Sequence, residues 1–238
     1  MVSEIKGFIQ KTVKALIPFK DIIWFLFLFI TLDFIWKLII KEGVDSSLFI
    51  VLGKDLTHTV QPICNWTARL VYWVIHDLMN YENLRLNGTV LSFPGSYRLN
   101  VVWGCTGIKQ VVLFALIIAL YYGPWKKKLI FIPISMLILN VINVVRIIAT
   151  VFVIKDGYPD WFIGFNGWYN KRVWISPEVS YWQFYRDWFQ MFHNDIFKWL
   201  YYDGVVFLLW LYWQEKINLP YQKKKEKEKS LGEDVQPD

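Results

Sequence analysis

From Leu129 to Ile154 the chain runs for twenty-six residues with a single formal charge, Arg146. As a helix this run is about 39 Å long, against a bilayer hydrocarbon core of about 30 Å. Three further segments share its character. Ile22 to Ile40 is apolar apart from Asp33 and Lys37, which stand at i,i+4 and can pair across one turn. Ile108 to Tyr122 reaches spanning length only if it begins near Cys105. Ile196 to Trp213 is entered from His193 and carries Lys198 and Asp203. The reading that follows is an all-α fold: a polytopic transmembrane helical bundle of about four spans with interfacial amphipathic helices. Val60 to Met79 is the ambiguous stretch. Its Asn65, Arg69, His76 and Asp77 look like one wet face of a helix lying at the interface.

Composition agrees with a membrane setting. Hydrophobic residues make up 55% of the chain and fourteen residues are Trp, a ring that favours the membrane–water boundary. The net charge of +6 does not imply nucleic acid, because the lysines flank the apolar runs. Lys6, Lys11, Lys14 and Lys20 precede the first span. Lys126, Lys127 and Lys128 fill the turn between the second and third, and Lys223, Lys224, Lys225, Lys227 and Lys229 follow the fourth. All three groups are cytoplasmic at once if there are four spans, with both termini inside an inner (plasma) membrane. The first run is read as a retained anchor, because no Ala-x-Ala-like site follows it. Residues 1–221 read as one transmembrane domain and 222–238 as a disordered, charged cytoplasmic tail.

This orientation brings three chemically capable side chains to one layer. Cys105 opens the second span and His193 opens the fourth, both at the outer surface. Arg146 lies seventeen residues, or about 25 Å, beyond Leu129 and so reaches the same outer level. An arginine inside a span costs ~2.5 kcal/mol or more on insertion scales and is usually functional. Asn140 and Asn143 precede it and are expected to share its face. Cys105 sits in Trp103-Gly104-Cys105-Thr106-Gly107, a small-residue turn whose helix dipole favours a thiolate. Cysteine, histidine and arginine together cover nucleophile, acid–base and oxyanion stabiliser. A structural Cys64–Cys105 disulfide, a snorkelling Arg146 and a helix-capping His193 are the plainer alternatives.

Other chemistries have less support. No Gly-x-Ser-Gly loop occurs for an intramembrane serine protease. Asp156 and Asp195 lie near the outer surface but do not sit as a pair within facing spans. His193 and Asp195 at i,i+2 share no helix face, and no His-Glu-x-x-His or Cys-x-x-Cys is present, so no metal or cofactor is expected. A non-enzymatic transporter or assembly factor of an export system could also hold Arg146 in a polar pocket.

The motifs also resemble a known family, the exosortases and archaeosortases, which are membrane-embedded cysteine transpeptidases. The resemblance rests on Cys105-Thr106-Gly107-Ile108, on Asn143-Val144-Val145-Arg146 in the next span, and on His193 at the head of a later one. It covers about Leu99 to Trp213. Thr106 stands where Ser is usual, and the number of spans is small for the family. The resemblance implies a sortase-like cysteine protease or transpeptidase with Cys105, Arg146 and His193 as catalytic residues and Asn143 in support. It also implies secreted protein substrates with a C-terminal transmembrane sorting signal, cleaved at the extracytoplasmic (periplasmic) membrane face. The acyl-enzyme would pass to water, an amine, or a lipid or polysaccharide acceptor. The aromatic segment from Lys155 to Gln190 is expected to lie over the site at the surface.

Overall fold

The computed structural model describes residues 19–42, 47–156, 161, 191–196 and 198–233. Helix α1 (Lys20–Ile39) is apolar on every side and leaves Ile30, Phe34 and Leu38 more than three-fifths exposed. A helix that is apolar all round and still exposed is suited to lipid rather than water. It stops where Ile40 turns extended and begins β1 (Ile40–Glu42). Strands β2 (Phe49–Val51) and β3 (Lys54–Asp55) complete a small antiparallel sheet. The β2–β3 turn puts Leu52 and Gly53 at φ +49° and +84°, the pattern of a tight hairpin whose two central residues are both left-handed.

Helix α2 (Thr57–Trp73) continues as a wider π-turn over Val74–Leu78. One stripe is buried, Val60, Cys64, Thr67, Ala68, Val71 and Ile75, whereas Arg69 and Asp77 are exposed. The wet face read from the sequence is therefore present, opposite a stripe that packs on protein. A second antiparallel sheet follows: β4 (Arg85–Asn87), β5 (Val90–Ser92) and β6 (Arg98–Asn100). Gly88 at φ +61° opens the two-residue β4–β5 loop, and Gly95 at φ +76° follows Pro94 in the β5–β6 turn. These two small sheets are an addition to a mostly helical chain that the all-α expectation did not include. Their strands are three residues or fewer, too short to give a period-2 signal, and only the Asn87-Gly88 and Pro94-Gly95 turns announce them.

Helix α3 (Ile108–Leu120) and helix α4 (Trp125–Asp156) form a tight antiparallel pair. The turn between them is closed from within. The Lys128 ammonium donates to the carbonyls of Ala119, at 2.8 Å, and Tyr121, so it caps the C-terminus of α3. Trp213 donates its indole N–H to the Tyr122 carbonyl at 2.9 Å, and its ring covers Gly123. The last described stretch alternates π-turns with α-helix: Met191–Ile196, Lys198–Val205, α5 (Val206–Trp213), Gln214–Asn218 and α6 (Leu219–Glu233). Helix α6 covers the first part of the charged tail that the sequence reading begins at residue 222. Lys and Glu have high helix propensity, and Lys224 pairs with Glu228 one turn on.

Three apolar clusters lie among the described residues, the smallest around Val60, Cys64 and Trp103, and two are large. One joins α1, α3, α4 and α5 through Phe25, Phe114, Leu139, Trp210 and Trp213. The other joins α2, the second sheet, the C-terminal half of α4 and the Met191 turn through Val71, Leu91, Ile147, Val151 and Met191. Among the described residues α1 and α4 are long and apolar enough to cross a membrane, and α3 is a shorter apolar helix of thirteen residues. Apart from Lys155, Asp156 and Trp161, the aromatic segment to Gln190 lies outside the described residues.

Candidate active site

Cys105 ends a 3-10 turn over Trp103–Cys105, in the short link between β6 and α3. Its amide donates to the Val102 carbonyl at 2.9 Å, and the Thr106 amide donates to Trp103 at 3.0 Å. The buried Thr106 hydroxyl also donates to the Trp103 carbonyl, at 2.6 Å, locking the turn from the side. Gly107 then takes φ +74°, a conformation that suits glycine, and α3 starts at once. The Trp103 ring is buried and donates its N–H to the Leu48 carbonyl at 2.8 Å, which ties the turn to the start of β2.

Two side chains from α4 close on the same peptide group. Asn143 Nδ2 donates to the Cys105 carbonyl at 2.9 Å and Arg146 Nη2 donates to it at 3.2 Å. Both are buried, with exposures of 1% and 9%. They can converge because i,i+3 residues lie on one helix face. Asn140 does not join them. At six residues from Arg146 it sits about 120° round the helix, and its amide turns back to the Met136 carbonyl of its own helix at 2.8 Å. The polar face expected from three residues thus contains two. Asn143 Oδ1 is buried and has no hydrogen-bond partner among the described residues.

The electrostatics oppose one another at the thiol. Burial pushes the Cys105 thiol above its ordinary value, and the Arg146 guanidinium pulls it back. Burial also pushes Cys64 up, to about 11, and the neighbouring Cys105 adds to the rise. Both cysteines are free thiols, so the disulfide alternative is not formed. The net direction is upward, which disfavours the thiolate.

His193 lies half-buried in the Met191–Ile196 turn. Its neighbours Met191, Phe192 and Ile196 pack into the core that also receives Cys105, Val144 and Ile148. Asp33, paired with Lys37 at 2.6 Å as its spacing suggests, has a second partner that the sequence did not reveal. Lys109, four residues after Cys105, reaches it at 3.0 Å and pins α3 to α1. Only the unusual presence of a lysine at the start of an apolar helix hints at that contact. No group of three or more metal-capable side chains gathers among the described residues.

The family model for transmembrane exosortases matches residues 20–173. The chain belongs to the transmembrane exosortase family. The match takes in the cysteine turn and the Asn143–Arg146 face of this exosortase-family protein, and it ends before His193. No curated protein and no solved structure matches the chain. Family membership and the two long apolar helices together make it a membrane protein.

Proposed function

We propose that this exosortase-family protein is a cysteine protease or transpeptidase that cleaves C-terminal sorting signals of secreted proteins at the extracytoplasmic membrane face. The observation that carries the reading is the convergence of Asn143 and Arg146 on the Cys105 carbonyl. A buried arginine spent on one cysteine turn is a costly arrangement for a scaffold. In this reading Cys105 is the nucleophile and His193 the acid–base. Arg146 holds the thiolate or the oxyanion, and Asn143 is a positioning residue.

The steps start from a thiol whose ionisation burial disfavours, so that a base is needed. The His193 imidazole takes the thiol proton, and Sγ attacks the scissile carbonyl carbon. As the carbon–nitrogen bond breaks, the imidazolium gives its proton to the departing amine. A thioester remains on Cys105, and water, an amine, a lipid or a polysaccharide hydroxyl resolves it and restores the thiol. Arg146 supplies a permanent positive charge while negative charge develops on the carbonyl oxygen.

The topology belongs to the same proposal: four spans in the inner membrane, both ends cytoplasmic, the cysteine turn outside. The lysines of the α3–α4 turn and of α6 support it by their position. The test is processing of a co-expressed substrate with a C-terminal apolar helix and a basic end, at matched membrane levels. Cys105→Ala, Arg146→Ala and His193→Ala should abolish processing, and Cys64→Ala should leave it normal. Processing that survives Cys105→Ala would overturn the cysteine mechanism.

A further inference from the structure

A cavity of about 740 Å³ opens between α4 and the last helical stretch. Ile130, Ile134, Ile138 and Ile142 line one wall, and Val205, Leu208, Leu209 and Ile217 line the other. The isoleucines recur every four residues, so one stripe of α4 faces the cavity throughout. Lys127 to Ile142 is fifteen residues, so the groove runs for about 22 Å along the helix. This exceeds the ~15 Å depth of one leaflet of hydrocarbon. The two walls are antiparallel, and Phe131 stacks on Tyr212 at 6.1 Å with nearly parallel rings. The Lys127 end of one wall is therefore the Ile217 end of the other.

The two ends differ in charge. Lys127 lines the mouth, and Lys126 beside it is exposed. On the other wall Ile217 is preceded by exposed Lys216 and Glu215. Helix α6 follows, with exposed Lys223, Lys224, Lys225, Lys227 and Lys229 against the acids Glu226 and Glu228. At the far end the lining residues Ile142 and Val205 are apolar, with Arg146 one turn beyond Ile142 and Asp203 two residues before Val205. A long apolar trough with a cationic mouth matches a molecule with a long hydrocarbon chain and an anionic head. A helix with a basic end matches poorly, because its positive charges would meet Lys126 and Lys127.

We propose that this groove is a binding site for an anionic phospholipid, with one acyl chain along the α4 isoleucines and the phosphate against Lys127 and Lys126. Basic pockets between membrane helices bind acidic headgroups for the same reason, and each lysine near such a surface contributes ~1 kcal/mol. None of the residues that line it belongs to the Cys105 turn, and the proposal does not depend on the catalytic reading.

Native mass spectrometry of the purified full chain, titrated with phosphatidylglycerol and with phosphatidylcholine of identical acyl chains, tests it. The wild-type protein should hold phosphatidylglycerol at least several-fold more tightly. Neutralising both mouth lysines, Lys126→Gln with Lys127→Gln, should weaken it by roughly fivefold per lysine and leave phosphatidylcholine unchanged. Ile134→Trp, which fills the wall, should lower binding of both lipids. Leu137→Trp, on the same helix but outside the groove, should bind as the wild type does. Equal retention of the two lipids, or a lysine double variant that binds phosphatidylglycerol normally, would overturn the proposal. So would a dimer that forms through the groove and is lost in Ile134→Trp while lipid binding is unchanged.

Discussion

Asn143 and Cys105 are thirty-eight residues apart and are joined by a 2.9 Å hydrogen bond from the Asn143 amide to the Cys105 peptide carbonyl. The bond fixes the orientation of the turn, because that carbonyl belongs to the same residue as the thiol. Asn143→Ala removes one of two donors and leaves the buried carbonyl on Arg146 alone. The expected cost is about 1–3 kcal/mol, seen as a lower unfolding midpoint in detergent. Substrate processing should fall with it. Asn143→Ala that unfolds and processes like the wild type would show that Arg146 alone positions the turn.

Burial and the Arg146 guanidinium act in opposite directions on the Cys105 thiol, burial raising it and the guanidinium opposing that rise. Removing the charge therefore raises the thiol further, so less thiolate is present at any pH below it. Maleimide labelling of Cys105 in a Cys64→Ala background should speed up as pH rises. In Arg146→Gln it should be slower at each pH, with the whole profile displaced to higher pH. An unchanged or lower profile in Arg146→Gln would contradict the electrostatic role.

Gly123 is packed against Trp213. A Cβ at this position would stand 2.7 Å from the indole Cζ2, and the backbone φ of +125° is one that other residues rarely adopt. Gly123→Ala should therefore cost about 1–3 kcal/mol through overpacking alone, with backbone strain in addition. Thermal unfolding measures the loss. Near-ultraviolet circular dichroism should report a displaced tryptophan.

Lys128 caps α3 from inside the protein, through the carbonyls of Ala119 and Tyr121. Lys128→Met keeps the length of the stem and removes the donors. Hydrogen bonds to a charged group contribute about 1.5–3 kcal/mol, and a loss of that size is expected on unfolding. Lys126→Met, two residues earlier and exposed, should change stability little.

Much of the helical frame was legible because apolar runs of spanning length have few other uses. The depth count from Leu129 placed Arg146 at the level of the Cys105 turn, and the structure joins them. Asn140 was misread, since a six-residue step looks close in sequence and falls on another side of the helix. The two sheets were missed because three-residue strands carry no periodicity, although Asn87-Gly88 is a hairpin signal in itself. Lys109 and Asp33 could not have been matched, because nothing in either segment encodes which helix will be its neighbour. Helix α6 escaped notice because a Lys- and Glu-rich run reads equally as a solvated helix or as a charged coil.

The cysteine turn has a further consequence in the timing of biosynthesis. Its indole anchor at Leu48 is made fifty-five residues before Trp103, and its last donor, Arg146, is made forty-one residues after Cys105. A nascent chain halted anywhere between Thr106 and Val145 carries the thiol without the guanidinium that lowers it. The contacts that fix the cysteine turn are therefore complete only when α4 has been made and packed on α3.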